Sequence, residues 1–458
     1  MIKAKLRLLL LLCAASTAAT AQQLYLPLNI RQAYEKGTRD ASGQPGPRYW
    51  QNHASYDIEV AFNPQTRLLA GSESIYYINN SPDTLKEINL KVLANLYQKG
   101  NVRAMNIDRE DEHDGVAITD LRVNGAATSV PAFTGTNLTL KVPALAPGAS
   151  MQLQLHFSYT LNKSSHIRTG AIDDGAFFIA YFFPRVAVYD DINGWDKIPY
   201  TGAMEFYNDF SEFRVAITVP GDYQAWATGD LVNAAEVYQP RFLQRIAAAS
   251  QQDDIRYIID STDLKAGNIT KKTANTWRFE AKHVTDFAFA ISNHYLWQSA
   301  SVEVDPLTKR RTRVDAVFNP EHTDYYDVAH FTRATVEKMS YHFPRWPFPY
   351  SHETVFDGLD QMEYPMMVND NPAPDRKYSI ELTDHEVFHT MFPFYMGTNE
   401  TLYSWMDEGW ATIGEWLISP MIDSSLVDDY GMEAYNKIAG KFQDLPVMSP
   451  SNQLTDAY

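Results

Sequence analysis

Residues 385–389 read His385-Glu386-Val387-Phe388-His389, and eighteen residues further on Glu408 stands within Asp407-Glu408-Gly409-Trp410-Ala411. On a helix, residues four apart share a face, so His385 and His389 present two imidazoles to one point. Two neutral imidazoles placed in this way hold one Zn²⁺. One residue advances a helix by about 100°, which puts Glu386 beside that point, where its carboxylate takes a proton from water. Glu408 is the candidate third ligand, and a fourth position stays open for water and substrate. The five-residue motif alone arises by chance in roughly one chain in a hundred. The alternative reading is a surface helix whose histidines happen to sit one turn apart.

Working outward, Leu402, Trp405, Met406, Gly409, Ile413 and Trp416 fall at helical spacing. They predict a second helix with a buried stripe, carrying Glu408 toward the first. Pro393 and Gly397 supply the break between the two. Glu415, seven residues past Glu408, is either a carboxylate that orients a ligand from behind or a solvated helix residue. Upstream, the pattern predicts a helix from about Asp324 to Tyr341, ended by Pro344, then a strand over Glu353–Asp357 and another at Met362-Glu363. From about residue 55 to 300 short alternating runs recur between turn signals, such as Leu138–Val142 and Phe213–Val219, the latter closed by Pro220-Gly221. The fold expected is multidomain: an N-terminal all-β domain over 22–300, then an α+β domain over 301–458 that carries the site.

The first 21 residues have the form of a secretory signal: Lys3, Lys5 and Arg7, an apolar stretch from Leu8 to Ala15, then Ala19-Thr20-Ala21. The apolar run is too short to span a bilayer. Export to the periplasm or medium is therefore expected, with no integral membrane segment in the mature chain. Cys13, the only cysteine, lies inside the signal, so the mature chain forms no disulfides. Loss of the three cations Lys3, Lys5 and Arg7 takes the formal charge from −17 to −20. Such an acidic balance disfavours nucleic acid and anionic lipid as partners, and favours cationic peptide termini. The 27 Tyr and 23 Phe are read as core and cross-strand pairs rather than a carbohydrate-binding surface.

At these residues the chain resembles the aminopeptidase N (alanyl aminopeptidase) family of zinc metallopeptidases, gluzincins with a thermolysin-like catalytic domain. The family carries Asn-Glu-Gly-[aromatic]-Ala at the third ligand, and Asp407 stands here in place of the Asn. Its upstream Gly-x-Met-Glu-Asn element is matched by Asp360-Gln361-Met362-Glu363-Tyr364, with Asp360 and Tyr364 replacing the Gly and the Asn. The likeness extends to Tyr56–Val60 and Gly71–Tyr77, to Phe182-Phe183-Pro184 with Asp190 and Asp191, and to Asp286–Ala290. It covers about residues 50 to 420.

The resemblance implies a saddle-like N-terminal sheet and one zinc per chain, held by His385, His389 and Glu408. It implies Glu386 as general base, and Glu363 with Met362 as substrate-binding residues, Glu363 gripping a free α-ammonium. It also implies an oxyanion-stabilising Tyr about 50 to 70 residues past the third ligand. Tyr435 comes too early, so that residue is expected at Tyr458 or beyond, and the catalytic domain is expected to be incomplete. Gly202-Ala203-Met204-Glu205-Phe206 matches the Met-Glu element by letters, but it lies about 180 residues before the zinc helix among β-patterned segments. A structural role is the expectation for Glu205. The function implied is hydrolysis of N-terminal residues from peptides with a free amine. Three rivals stand beside it: a zinc endopeptidase of the same clan, a hydrolase of non-peptide substrates, and a non-catalytic peptide-binding scaffold.

Overall fold

The computed structural model describes residues 25–427, 429–441 and 445–453. The expected signal, residues 1–21, and Tyr458 lie outside them. Residues 25–50 and 190–194 form a small unit of their own. In it the helix Leu28–Lys36 stops at Gly37, whose φ of +72° is a left-handed turn that glycine adopts without steric cost. Arg39 pairs with Asp191 at 2.9 Å and lies over the Tyr49 ring.

The other unit comprises 51–189 and the chain from 195 onward. Its largest sheet has eight strands. β1 (His53–Asn63) and β2 (Leu68–Ile78) pair antiparallel from His53↔Ile78 to Asn63↔Leu68. β3 (Ser150–Thr160) continues antiparallel from β2. β4 (Ser211–Pro220) runs parallel to β1 on its other side, and β5 (Ala274–Val284) follows antiparallel. Period-2 alternation buries Tyr56, Ile58, Val60 and Phe62 of β1 and leaves Asp57, Glu59 and Ala61 exposed, so one face of the sheet is core and the other polar. The polar face carries a cavity of about 660 Å³ lined by Asp57, Ser74, His156 and Arg214 among others, and none of the candidate site residues lines it. The region expected to be all-β also holds three short helices, Ala234–Val237, Pro240–Ala249 and Ser261–Ala266.

The sheet that carries the site has six strands. The strand Arg256–Ile259 forms one edge, followed by β6 (Leu296–Asp305) and β7 (Arg310–Phe318), each antiparallel to its neighbour. β8 (His352–Asp357) is parallel to β7. β9 (Gln361–Tyr364) forms the far edge, antiparallel to β10 (Met367–Asp370), and β10 is parallel to β8. The sheet is continuous through residue 300, because β6 spans it and pairs with a strand from the 250s. Helix α1 (Val328–Tyr341) packs on β6 and β7 and also touches α2 (Arg376–Phe388) and α3 (Glu408–Ile422). The helix and strands expected between 324 and 364 are therefore present, α1 being preceded by a single 3₁₀ turn, Thr323–Asp327. Among the described residues no helix is long and apolar enough to cross a membrane.

The buried stripe expected on the second helix is corrected. Helix α3 begins only at Glu408, because Ser404–Met406 is a separate 3₁₀ turn. Its buried face is Ala411, Gly414, Ile418 and Ser419, while Trp405 and Ile413 are exposed. Close packing explains the shift from large residues to small ones. A Cβ on Gly414 would stand 2.4 Å from the Phe388 ring at the end of α2, so α3 approaches α2 as nearly as it does only because that side chain is missing. Gly414→Ala is expected to lower stability by about 1–3 kcal/mol through overpacking. Thermal denaturation checks this, and an unchanged midpoint contradicts the close approach.

Candidate metal centre

Helix α2 starts at Asp375, whose carboxylate accepts the Lys377 and Tyr378 N–H groups as an N-cap. The helix runs to Phe388, and His389 keeps helical dihedrals (φ −56°, ψ −16°), so one helical face presents both histidines, their rings 4.9 Å apart. The chain then breaks through a wide turn, Thr390–Tyr395, that contains Pro393. Gly397 lies just beyond with φ +66°, and a Cβ there would meet the Phe210 ring at 2.8 Å. The break predicted at Pro393 and Gly397 is where the chain turns back to bring Glu408 over α2.

His385 Nε2 lies 3.1 Å from Glu408 Oε2, and His389 Nε2 lies 3.8 Å from the same oxygen. Donors bound about 2.1 Å from one tetrahedral ion lie roughly 3.4 Å apart, so the spacing of this set fits Zn²⁺. The far side of each ring is also engaged. His385 Nδ1 donates to Glu415 Oε2 at 3.1 Å. His389 Nδ1 donates to Asp407 Oδ1 at 2.6 Å and to the Phe392 carbonyl at 3.0 Å. A proton held on each Nδ1 leaves both Nε2 lone pairs for an ion, and a carboxylate behind an imidazole strengthens it as a ligand. Glu415, read from sequence either as a carboxylate behind a ligand or as a solvated helix residue, lies against the His385 ring. Asp407, read from sequence only as a substitution beside the third ligand, is the orienting partner of His389.

The charges agree with a cation at this point. Burial works against a charged His385, yet its bonds to Glu408 and Glu415 outweigh that and lift it to about 10. Burial works against ionised Glu408, yet His385 and His389 hold it at about 2. The carboxylate stays charged because positive charge faces it, which is what a divalent ion would supply. Behind the ligands, Asp384 accepts bonds from Ser419 of α3 and Thr335 of α1, tying three helices at the residue before His385.

Glu386 is buried, and its Oε2 has no hydrogen-bond partner among the described residues. Burial raises it, with the two histidines pulling the other way. Oxygens of Glu386 and Glu363 lie within 4.8 Å of each other and of a His389 nitrogen. Glu363 is contributed by β9 and is also buried, with one oxygen, Oε1, lacking a hydrogen-bond partner among the described residues. Met362, the other expected substrate-binding residue, precedes it on the strand and belongs to the apolar core. Strand alternation turns neighbouring side chains to opposite faces.

Sequence reasoning missed one group. Glu205, set aside for a structural role, lies with Glu363, Glu400 and Asp407 in a cluster where one oxygen from each falls within 4.8 Å of the others. Arg168 grips Glu205 through a two-pronged ion pair. Burial pushes Glu363 and Glu400 well above the usual carboxylate range, and the neighbouring acids add to it. The letter match at Met204-Glu205 was the signal that could have found it; only the tertiary fold shows that it reaches the site.

With this geometry in hand, comparison with solved structures places the fold. An M1 zinc metallopeptidase from Deinococcus radiodurans, solved in a mutant form, superposes with a TM-score of 0.53 at 15% identity, over 91% of this chain and 82% of that one. The non-mutant structure from the same organism gives 0.51 at 15% identity, over 90% and 81%. A two-domain M1 zinc metallopeptidase bound to L-arginine gives 0.52 at 15% identity, over 91% and 82%. The fold is that of the M1 zinc metallopeptidases. No family model and no curated protein matches the sequence.

Proposed function

We propose that this chain is a zinc aminopeptidase, removing residues from the N termini of peptides. The observation that carries the reading is the convergence of His385 Nε2, His389 Nε2 and Glu408 on one point, with Glu386 and Glu363 at its rim. Zn²⁺ held there by His385, His389 and Glu408 would supply Lewis acidity toward a peptide carbonyl and a water. The remaining roles belong to side chains of this chain. Glu386, held on α2 and with no hydrogen-bond partner on Oε2 among the described residues, takes the proton of the attacking water and passes it to the leaving amine. Glu363 accepts the substrate's α-ammonium, which fixes the first peptide bond against the ligands and leaves bonds further along the chain out of register. Asp407 and Glu415 hold the two imidazoles in place.

Among the fold neighbours, one was solved with a Tyr-Ser-Ala substrate and another with L-arginine, ligands with a free amine like those proposed here. The reading includes export directed by residues 1–21. It places the chemistry in residues 301–458, with 22–300 as the β-domain that contributes Glu205.

The test is metal analysis together with hydrolysis of free and N-acetylated aminoacyl substrates by the natural chain and by Glu363→Ala. One zinc per chain and chelator-sensitive cleavage of free-amine substrates are expected. Glu363→Ala is expected to lower kcat/KM on those substrates about 10²-fold or more, the cost of a lost charge-assisted contact and of lost positioning. Equal cleavage of acetylated peptides would select the endopeptidase reading. Absence of both zinc and cleavage would leave a binding scaffold.

A further inference from the structure

Helices α1, α2 and α3 meet along one seam, and its layers differ in chemistry. One layer is apolar: Phe331 of α1 and Ile380 of α2 are buried together, with Ile422 of α3 packed on them. About one helical turn along, the next layer is polar. Thr335, Asp384 and Ser419 lie four, four and three residues from those apolar side chains, and so on the same faces. They are 0%, 0% and 3% exposed. The Asp384 carboxylate accepts the Thr335 hydroxyl on Oδ1, and the Ser419 hydroxyl at 2.6 Å on Oδ2. Asp384 thus has one partner on each neighbouring helix, and neither of its oxygens is left without one.

Burying a carboxylate beside an apolar layer that already joins the three helices works against stability. What the carboxylate adds is direction. The buried face of α3 is otherwise Ala411, Gly414 and Ile418, and apolar burial is non-directional, so it resists sliding and rotation only weakly. A fully satisfied polar layer specifies one arrangement. A second bond crosses the same two helices one turn away. Glu415, four residues before Ser419 and on the same face of α3, accepts from His385 Nδ1 at 3.1 Å. The Ser419–Asp384 and His385–Glu415 bonds are therefore neighbouring rungs, and two rungs fix both the slide and the rotation of α3 on α2. Glu408 stands about two turns before Glu415, so its reach to His385 and His389 follows from that setting. Thr335 ties the pair to α1, which packs on β6 and β7.

We propose that Asp384 is a positioning residue for the metal centre. Through Ser419 it sets α3 on α2 so that Glu408 and Glu415 both meet His385, and through Thr335 it anchors that setting to the helix on the sheet. The proposal rests on the zinc reading and extends it to a residue that is neither a ligand nor a partner of one. Its effect on the chemistry runs through the place of Glu408, not through contact with substrate.

The test compares the natural chain with Asp384→Ala, Asp384→Asn and Ser419→Ala. Zinc affinity is read by competition with a chromogenic chelator, and ligand geometry by the visible spectrum of the Co²⁺-substituted chains. Thermal midpoint at saturating zinc reports the fold, and an alanyl substrate gives kcat and KM. Asp384→Ala is expected to bind zinc about 10- to 100-fold more weakly and to lose kcat by a similar factor, as when other groups behind metal ligands are removed. Its Co²⁺ spectrum is expected to shift, with KM changed less than about threefold, because no substrate contact is lost. Asp384→Asn is expected to recover most of the affinity, since the amide keeps an acceptor for Ser419 and offers its NH₂ to Thr335 Oγ1. A lowered thermal midpoint in Asp384→Ala, with the zinc affinity and Co²⁺ spectrum of the natural chain, would make the layer a packing element and overturn the proposal. An Asn variant no tighter for zinc than the Ala variant would overturn it too. If Asp384→Ala fails to fold, Ser419→Ala decides: weaker zinc with a shifted spectrum supports the proposal, and natural values overturn it. A natural chain that binds no zinc would instead remove the zinc reading beneath it.

Discussion

Zinc-loaded Glu386→Gln is expected to hydrolyse free-amine peptides about 10²- to 10⁴-fold more slowly than the natural chain, at unchanged metal content. The two halves of this expectation have separate structural grounds. On the proposed reading metal content depends on His385, His389 and Glu408, whose geometry is held by Asp407, Glu415 and the close contact of α2 with α3. Gln at 386 removes none of these and keeps the shape of the side chain. Turnover depends on a carboxylate able to accept a proton beside the ligands, and Gln has none. The Glu386 side chain is buried, and its Oε2 has no hydrogen-bond partner among the described residues. Glu363 is the other carboxylate in its immediate group with His389 among the described residues, and on the proposed reading that one takes the α-ammonium. Metal analysis with kcat on an alanyl substrate checks the prediction. Turnover near that of the natural chain, with one zinc bound, would remove Glu386 from the role of base and move the search to another group.

The parts of this site that were legible in the sequence are those whose geometry is local. Four residues along a helix place His389 one turn from His385 whatever surrounds them, and Pro393 with Gly397 forces the chain to turn back before Glu408. The alternation of β1 and β2 likewise needs no tertiary information. The buried stripe on α3 failed because helical spacing does not reveal where a helix begins. Once the first turn is assigned to a separate 3₁₀ segment, the face toward α2 is one of small residues chosen for proximity, and Gly414 gives no hydrophobic signal. The place of Glu205 beside Glu363 was not legible for a different reason. Its approach to Glu363 depends on Arg168, which lies 37 residues before it, and on Asp360 and Thr401, which are far beyond it in sequence. Nothing in the periodicity of its own segment encodes those contacts. Asp407 was visible as a departure from a pattern, but its bond to His389 required the fold.

Glu73→Met is expected to stabilise the chain by about 1–3 kcal/mol at pH 7, the cost of a buried polar group left without a partner, and to remove a pH dependence that the natural chain shows. Glu73 lies in the middle of β2 on the core face, opposite Ile58 of β1 and Leu155 of β3. It is 3% exposed, and neither carboxylate oxygen has a partner among the described residues. Burial pushes its pKa well above the ordinary 4.5, so the folded chain holds the group as a neutral acid. The unfolded chain releases that proton above about pH 4.5, and folding must then take one up. Stability is accordingly greatest below the unfolded value and falls by about 1.4 kcal/mol per pH unit above it, until the folded value is reached. Met has similar length, needs no proton and no hydrogen bond, and suits an irregular apolar site. Urea unfolding from pH 5 to pH 8 measures both effects. The natural chain is expected to lose stability across this range relative to Glu73→Met, the two curves diverging as pH rises. Parallel curves, or a Met variant less stable at pH 8, would show that the carboxyl is satisfied in the folded state.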